Sequence, residues 1–397
     1  MFEKLKVTQP LLASEIELSV RADNFSQSSL FCGDKYTSKM TAAIECAKAL
    51  SCFKDKEADC DCKSCKAFDS FREQNLVIIS NRNYQTRIDA AVESFNRLRN
   101  DFSKNNLIQV VRILLLSYHS CLYTDKNKAL FKTAYEINDK LIEFAHHKTP
   151  FGVREAKSFT KSLQTLLKPL LDQDKKNLTN LSVDAVRSLQ NWVAQTKVND
   201  KVQVIIIEGI EKSNDSVRNS LLKILEEPGE GVYFILLSED PSRIMKTILS
   251  RVRRYYFPQV DIDKQQLILE PFEIEDKSIN TIEKYLLSSH GFKEAEFEAI
   301  IDQMVTSFYD DSTIFSLEDV WNFCEKFDKS DQCDYILKML SDRIENAFLC
   351  GNISASHSKQ MMSFINEDSI KYKVFNISKK NFIENLYRKL LGVIKGE

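Results

Sequence analysis

Four short runs, apolar throughout except for Ser29, lie in the first two thirds of the chain. They cover residues 29–32, 76–79, 204–207 and 233–237. Between them lie longer stretches in which apolar residues recur at helical intervals. Short apolar runs separated by helices are typical of a parallel sheet that helices cover on both faces. We therefore predict an α/β domain with these four runs as its strands.

The spacing of apolar residues also predicts helices around and between these strands. Residues 39–50 form one helix, with Met40, Ile44, Ala47 and Leu50 on one face. Residues 84–178 carry helical patterns almost throughout, including predicted helices over 107–122 and 129–144. We predict that this segment is a helical insertion between the second and third strands, folded as a small bundle.

The last third of the chain has a different character. No convincing long strand follows Pro258, and no proline follows Pro271. Paired apolar residues there recur at helical spacing, as in Leu286 and Leu287 or Ile300 and Ile301. We predict one or two all-helical domains. Arg253 and Arg254, just before this region, are interpreted as a solvated basic turn or as a pair that contacts DNA.

Composition supports a mainly helical protein. The 397 residues include 9 glycines and 7 prolines, each about 2 % of the chain, against usual shares of about 7 % and 5 %. Sandwiches, barrels and propellers need a turn every few residues, so this scarcity argues against them. The formal net charge of −2 excludes a chain that is basic overall, but a local basic face is still allowed.

The sequence predicts a cytoplasmic protein that does not enter a membrane. The first residues lack the apolar core of a signal peptide. The most apolar longer stretch, residues 107–118, contains Gln109 and Arg112 and is too short to span a bilayer. The ten cysteines are too few for a secreted disulfide scaffold in a chain of this length, so clustered cysteines suggest metal binding.

Four cysteines lie within fourteen residues: Cys52, Cys60, Cys62 and Cys65. Structural zinc prefers four thiolates in a tetrahedron, and the two-residue gap between Cys62 and Cys65 is standard for such sites. The gap between Cys60 and Cys62 is tighter than usual. We predict a structural Zn²⁺ site. The alternatives are unrelated surface cysteines or a redox dithiol.

The loop after the first strand resembles an incomplete phosphate-binding loop. The P-loop pattern is G-x4-G-K-[ST] between a strand and a helix, and here Gly33 and Lys39 match it. Ser38 replaces the second glycine, and its Cβ disfavours the positive φ that such a loop needs. Met40 replaces the hydroxyl that binds Mg²⁺, and a thioether is a poor ligand for that ion.

The third strand ends in a similarly altered motif. A Walker B strand ends in Asp-Glu, whereas this one ends in Glu208 and Gly209. Glu208 takes the place of the Mg²⁺-associated aspartate. Gly209 takes the place of the glutamate that polarises the attacking water, and glycine cannot act as a base. Two motifs are thus altered where chemistry occurs, which favours a fold kept for assembly rather than hydrolysis.

Three later segments make a family resemblance specific. They are N-S-L-L-K-I-L-E-E-P over 219–228, Y-F-I-L-L-S-E-D-P over 233–241 and I-M-K-T-I-L-S-R-V over 244–252. With the cysteine cluster after the P-loop helix and the helix over 182–192, they resemble the AAA+ clamp-loader subunits of bacterial DNA polymerase III, the gamma/tau and delta-prime family. The resemblance covers about 25–80 and 180–258, and the 84–178 segment departs from it.

The resemblance implies a domain plan. An AAA+ nucleotide-binding-like domain covers 1–258, with a zinc module over 52–65. A helical lid domain follows over 259–306, and a helical collar for oligomerisation covers 307–397. The resemblance also implies gamma/tau and delta subunits as partners, and the sliding clamp and primer-template DNA as partners of the assembled complex.

The resemblance further implies a role for Arg251. The family has an S-R-C segment whose arginine reaches the nucleotide of a neighbouring subunit, and Ser250-Arg251-Val252 occupies that place with valine instead of cysteine. The altered P-loop favours the delta-prime type, so we expect a stator without ATP hydrolysis of its own. The alternatives are a gamma/tau-like ATPase with an atypical loop, and a zinc-bearing adaptor unrelated to replication.

Overall fold

The computed structural model describes residues 1–54, 56–57, 59–69, 73–80, 82–122, 127–177, 182–195, 202–327, 330–375 and 377–395. The chain divides into two compact units, residues 1–286 and 287–397. The predicted boundaries of separate lid and collar domains, at 258 and 306, stay predictions. Among the described residues, no helix is long and apolar enough to cross a membrane.

A five-stranded parallel sheet forms the centre of the first unit, which confirms the predicted α/β class. Its strands stand in the order β2-β3-β4-β1-β5. Their bounds are β1 Ser28–Cys32, β2 Leu76–Ile79, β3 Gln203–Glu208, β4 Val232–Ser238 and β5 Arg253–Tyr256. The four predicted strands are confirmed, and β5 was not predicted. The interpretation of Arg253 and Arg254 as a turn is wrong, because both lie in this edge strand.

The register of the strands brings their carboxyl ends together. Cys32 of β1 lies beside Ser238 of β4, and Glu208 of β3 lies beside Leu237. On the outer side of β3, Ile79 of β2 pairs with Ile207. In open parallel sheets, ligands bind at this end. The loops after β1, β2, β3 and β4 therefore meet at the carboxyl end of the sheet, which we call the edge of the sheet. This end contains the altered motifs.

Helices cover both faces of the sheet because neighbouring residues of each strand point to opposite faces. Leu30 belongs to one apolar core and Phe31 to the other. The helices of this layer are α1 Glu3–Thr8, α2 Pro10–Arg21, α3 Lys39–Leu50, α4 Lys63–Asp69, α9 Val183–Gln195, α10 Asp215–Glu226 and α11 Lys246–Leu249. The predicted helix over 39–50 is confirmed, whereas α1 and α2 were not predicted.

The segment after β2 folds into a helical bundle with its own apolar core. Its helices are α5 Tyr84–Leu98, α6 Asp101–Leu115, α7 Lys128–His146 and α8 Val153–Asn177. The predicted bundle is confirmed within the described residues, and its predicted last residue, 178, lies outside them. The predicted helix over 107–122 is wrong in its bounds, because the Asn100 side chain accepts a hydrogen bond from Ser103 N (2.9 Å) and starts the helix earlier.

The segment that follows the sheet packs on this bundle. The guanidinium of Arg97, on α5, donates to the carbonyls of Phe272 and Glu273, the latter at 2.7 Å. The rings of Phe102 and Phe272 meet edge to face at 4.9 Å. The helices after the sheet are α12 Ile262–Leu269 and α13 Ile282–Ser288. The bundle therefore fixes the segment between them.

The second unit is built from helices around a single apolar core. They are α14 Glu294–Tyr309, α15 Leu317–Glu325, α16 Ser330–Leu349, α17 Ala355–Phe375 and α18 Lys379–Lys395. At the start of α15, Ser316 and Asp319 form a capping box, in which each side chain accepts a hydrogen bond from the other's backbone N–H. The predicted all-helical character of this third is confirmed for the described residues.

Candidate functional sites

The loop between β1 and α3 begins at a glycine that the fold requires. A Cβ on Gly33 would lie 2.1 Å from the carbonyl oxygen of Phe257, so no larger residue fits there without a backbone shift. The N–H of Gly33 donates to the carbonyl of Ser238 at 3.2 Å. Gly33 therefore lets the backbone after β5 approach closely, in addition to matching the P-loop pattern.

Ser38, in the place of the second P-loop glycine, adopts a left-handed backbone with φ of +68°. The sequence led us to expect that its Cβ would disfavour this conformation, yet the loop adopts it. A non-glycine residue pays about 1 kcal/mol or more there. The hydroxyl of Thr8 donates to Ser38 Oγ at 3.0 Å and offsets part of that cost.

Lys39 turns its ammonium group back onto its own loop. Nζ donates to the carbonyl of Gly33 at 2.5 Å, to the carbonyl of Asp34, and to Thr37 Oγ1 at 3.2 Å. The residue is only 8 % exposed. Burial lowers the pKa of Lys39, and the nearby carboxylates, Glu239 foremost, oppose that effect. The charge that a P-loop lysine offers to phosphates is here bound by backbone oxygens.

The N-terminal helices close over this loop. Gln9, at the junction of α1 and α2, is 5 % exposed, and its Nε2 donates to the carbonyl of Pro258 at 2.7 Å. With the contact between Thr8 and Ser38, it ties the chain start to the loop and to the residues after β5. The apolar pattern at the chain start did not reveal this packing.

Glu208, at the end of β3, forms a two-bond ion pair with Arg82, which follows β2. Arg82 Nε and one terminal guanidinium nitrogen each donate to a carboxylate oxygen at 2.8 Å, and Ser80 donates a further hydrogen bond. The side chain of Arg82 is 13 % exposed and that of Glu208 is 20 % exposed. Burial raises the pKa of Glu208, but the charge and hydrogen bonds of Arg82 outweigh it and hold the pKa at about 2.

Gly209 and Glu211, in the turn that follows Glu208, differ in character. Gly209 has φ of +77° and starts a short 3-10 turn, with its N–H donating to Leu237 O at 2.9 Å. Glu211 lies within that turn and accepts a hydrogen bond from the N–H of Glu239 at 3.2 Å. Burial raises the pKa of Glu211. Glu211 is thus a half-buried carboxylate close to the position where Walker B motifs carry the catalytic glutamate.

Arg251 lies just after α11, apart from the loop. One of its terminal nitrogens donates to the carbonyl of Thr247 at 2.8 Å, and the other to the Glu226 carboxylate at 3.1 Å. Its side chain is 29 % exposed. Glu226 closes α10, the helix of the N-S-L-L-K segment. Two of the segments that carry the family resemblance therefore meet at this ion pair.

The four clustered cysteines converge on one point. The sulfur atoms of Cys52, Cys60, Cys62 and Cys65 all lie within 4.8 Å of one another, and none forms a disulfide. Zn–S bonds of about 2.3 Å place tetrahedral sulfurs about 3.8 Å apart, and Cys52 Sγ and Cys60 Sγ are 3.6 Å apart. The narrow gap between Cys60 and Cys62 therefore does not prevent convergence. The cluster is a candidate metal site.

The backbone favours thiolate sulfur at Cys62, whereas burial raises the pKa of the Cys65 thiol. The N–H of Cys65 points at Cys62 Sγ at 3.4 Å, which is the arrangement that a two-residue gap allows. Burial raises the pKa of the Cys62 thiol, but the N–H groups of Cys65 and Phe53 and the neighbouring thiols lower it to about 6. A thiolate is the form that binds metal, and four sulfur atoms within 4.8 Å of one another are a donor set that fits zinc.

Arg82, which pairs with Glu208 at this edge of the sheet, was not predicted as a site residue. The sequence could have indicated Arg82, because it follows the apolar run of β2 and so lies at the same end of the sheet as Glu208. The structure brings Gly33, Lys39 and Glu208 to this edge. It places Arg251 and the cysteine cluster elsewhere.

These observations define the class of the protein. A parallel sheet with a glycine-initiated loop, a lysine at the start of the following helix and a carboxylate after β3 is the arrangement of P-loop α/β proteins. A family model described as "DNA polymerase III, delta subunit" matches residues 8–142 and 152–261. The chain belongs to this family.

Curated relatives agree with that assignment. The chain is 35 % identical over 75 residues to DNA polymerase III subunit delta′ of Haemophilus influenzae, a match that covers 19 % of this chain and 23 % of the relative. It is 41 % identical over 71 residues to the Pseudomonas aeruginosa subunit delta′, covering 18 % and 22 %. Identity to the Buchnera aphidicola subunit delta′ is 27 % over 169 residues, covering 42 % and 46 %. The predicted resemblance to delta-prime-type subunits is confirmed.

These matches have limits in length. The chain spans between about a fifth and a half of the length of these curated relatives. A solved structure of a DNA polymerase III gamma subunit-related protein from Thermotoga maritima matches 53 % of this chain and 79 % of its own, at 16 % identity and a TM-score of 0.28. The family model matches most of residues 84–178, so the expectation that this segment departs from the family is wrong.

Proposed function

We propose that this chain is a delta-prime-like subunit of a bacterial DNA polymerase III clamp loader that does not hydrolyse ATP. It acts as a stator and supplies Arg251 to the nucleotide site of a neighbouring ATPase subunit. One observation carries the proposal. At the edge of the sheet, the charges of Lys39 and Glu208, which would meet a magnesium nucleotide, are bound by partners within the chain.

Two contacts support the absence of hydrolysis. The Lys39 ammonium is bound by loop oxygens, and the Glu208 carboxylate is bound by the Arg82 guanidinium. A nucleotide would have to break both, because phosphate needs the lysine and Mg²⁺ needs the carboxylate. Gly209 offers no base for water. The alternative function is a gamma/tau-like ATPase, in which both side chains rearrange around ATP.

The position of Arg251 supports its role toward a neighbour. Its partner Glu226 is 56 % exposed, so the ion pair is open to solvent and worth at most about 1 kcal/mol. The phosphates of a nucleotide on an adjacent subunit carry more negative charge and can replace that carboxylate. An arginine supplied in this way stabilises the charge that develops during phosphoryl transfer.

The proposal assigns the remaining features as follows. Cys52, Cys60, Cys62 and Cys65 hold a structural Zn²⁺ that fixes the segment between α3 and α4. The partners are gamma/tau and delta subunits, and the sliding clamp and primer-template DNA are met through the assembled complex. The cytoplasm is the proposed location.

Reconstitution with gamma/tau and delta subunits tests this function. Arg251→Ala should lower the DNA-stimulated ATPase of the loader at least about tenfold, since arginine fingers are worth far more in related reactions. Arg243→Ala is the matched control, because Arg243 is a nearby exposed arginine paired with Asp240 at 3.3 Å. Equal ATPase with both variants, each folded and assembled, would contradict the role of Arg251.

A further inference from the structure

One face of α8 carries a row of cations that the proposed function does not use. Arg154, Lys157, Lys161 and Lys168 are all exposed. At 100° per residue their positions fall within an arc of about 60°, and at 1.5 Å per residue they span about 21 Å. The opposite face, with Ala156, Leu163 and Leu167 among others, is buried in the bundle core.

None of these four side chains has a partner among the described residues. No ion pair or side-chain hydrogen bond ties any of them, whereas some other surface cations are paired. Arg343, for example, contacts Glu298 at 3.6 Å and Asp302 at 2.9 Å. Four like charges on one helix face repel one another, so an unpaired row is a cost that a polyanion would remove.

One acid lies in line with this row, and the other nearby charges leave the row accessible. Asp172 is exposed four residues after Lys168, on the same face of α8. Glu155, the neighbouring acid on α8, is paired with His147 at 3.0 Å. On the flanking α5, Asp89 accepts hydrogen bonds from Gln85 and Gln164. The flanking α7 carries exposed charges of both signs, with Lys132 paired to Glu136.

We propose that this face of α8, called the α8 stripe, binds the phosphate backbone of duplex DNA. An extended row of free cations fits a polymer that carries about one negative charge per 1.7 Å of its axis. Ser158 lies between Lys157 and Lys161 in sequence and is exposed, and serine hydroxyls are common donors to phosphate. Through this face, the helical bundle would contact DNA at a site separate from the edge of the sheet.

The polarity of the face argues against a membrane as the partner. Helices that lie in a membrane surface carry large apolar residues opposite their cations. The apolar side of α8 is used up in the bundle core, and Val153 at the helix start is its exposed large hydrophobic residue. The choice of DNA rests on the proposed function, because a clamp loader acts beside duplex DNA.

Salt-dependent binding of the full chain to a fluorescent duplex tests the proposal. The variant replaces the four cations of the α8 stripe: Arg154→Gln, Lys157→Gln, Lys161→Gln and Lys168→Gln. We expect affinity to fall about tenfold or more at low salt. The slope of log K against log salt should fall by about 3.6, or about 0.9 for each phosphate that the variant no longer neutralises.

A matched control separates the stripe from net charge. It replaces four exposed and unpaired lysines elsewhere, Lys128, Lys148, Lys277 and Lys359, with glutamine, and we expect it to retain the slope. Equal weakening in both variants, or no binding by the unchanged chain at low salt, would overturn the proposal. So would stripe-dependent binding to phosphatidylserine vesicles without binding to duplex. None of these outcomes alters the loader ATPase test of Arg251, so the two proposals fail separately.

Discussion

Two regions at either end of α3 treat their polar groups in opposite ways. Lys39 lies at the start of α3, and Glu208 lies at the same edge of the sheet. Each charged group is bound by a partner within the chain. Beyond its end, four sulfur atoms lie within 4.8 Å and have chiefly one another as partners. In the first region, the charged groups already have partners. In the second region, four sulfur donors converge on a common point that a metal ion could occupy.

The contrast reflects what each region needs. A buried charge is costly unless it is paired and hydrogen-bonded, and the edge of the sheet meets that need with Arg82 and loop carbonyls. Four converging thiols gain little from one another, because S–H groups are weak donors and acceptors. They gain much from a metal. Removing one ligand or one internal partner should therefore affect the two regions differently.

The largest expected effect comes from the cysteine cluster. Cys65→Ser removes one of the four proposed zinc ligands, and the segment between α3 and α4 then loses the binding free energy that we expect to help fold it. We expect the zinc content to fall from one per chain toward zero and the free energy of unfolding to fall by several kcal/mol. Metal analysis and thermal unfolding measure both quantities.

Cys350→Ser provides the control, because Cys350 is an exposed cysteine outside the cluster. It should keep the full zinc content and an unchanged melting temperature. A Cys65→Ser protein that still carries one firmly bound zinc would refute the four-ligand site.

The next largest effect comes from the ion pair at the edge. Arg82→Ala leaves the Glu208 carboxylate largely buried without its counter-charge, which costs about 3–5 kcal/mol in comparable pairs. Denaturant unfolding measures the decrease in stability. The double variant Arg82→Ala with Glu208→Gln should recover much of it, because no charge is then left unpaired. A double variant no more stable than Arg82→Ala would show that the pairing does not carry the cost.

The same pair predicts a pH dependence. The pKa of Glu208 is about 2 in the folded chain, below its ordinary value of 4.5. The folded state therefore prefers the ionised group, and the stabilisation is present above pH 4.5 and is lost as the pH falls toward 2. The shift corresponds to about 3 kcal/mol. Between these pH values, the unchanged chain should lose more stability than the double variant.

The smallest effect concerns the strained loop residue. Ser38→Gly relieves the left-handed backbone but removes the hydrogen bond from Thr8, so we expect stability to change by less than about 1 kcal/mol. Ser38→Ala keeps the strain and loses the bond, so it should be less stable than Ser38→Gly by about 1 kcal/mol. Equal stability of the two variants would mean that the loop does not hold this conformation in solution.

The sequence predicted features that depend on local patterns. Continuous apolar runs located β1 to β4, and the spacing of Met40, Ile44 and Leu50 located α3. The cysteine cluster was predicted because zinc ligands lie close in sequence. Strand β5 was missed because Arg253 and Arg254 are exposed at a sheet edge, where only Tyr255 points into the core.

Long-range partners were beyond reach of these patterns. Arg82 and Glu208 are separated by 126 residues, and Gln9 and Pro258 by 249. Such contacts depend on strand order, and the apolar runs do not specify the order in which strands lie. The start of α6 was missed for a local reason, because Asn100 and Asp101 are polar and the apolar pattern begins only later.

We propose that the internal partners of Lys39 and Glu208 close the edge of the sheet to nucleotide. Calorimetric titration of the zinc-loaded full chain with Mg²⁺-ATP, up to about 1 mM, tests it most directly. We expect no saturable heat, for the unchanged chain and for Lys39→Ala alike. Saturable binding with a micromolar dissociation constant, lost in Lys39→Ala, would contradict it.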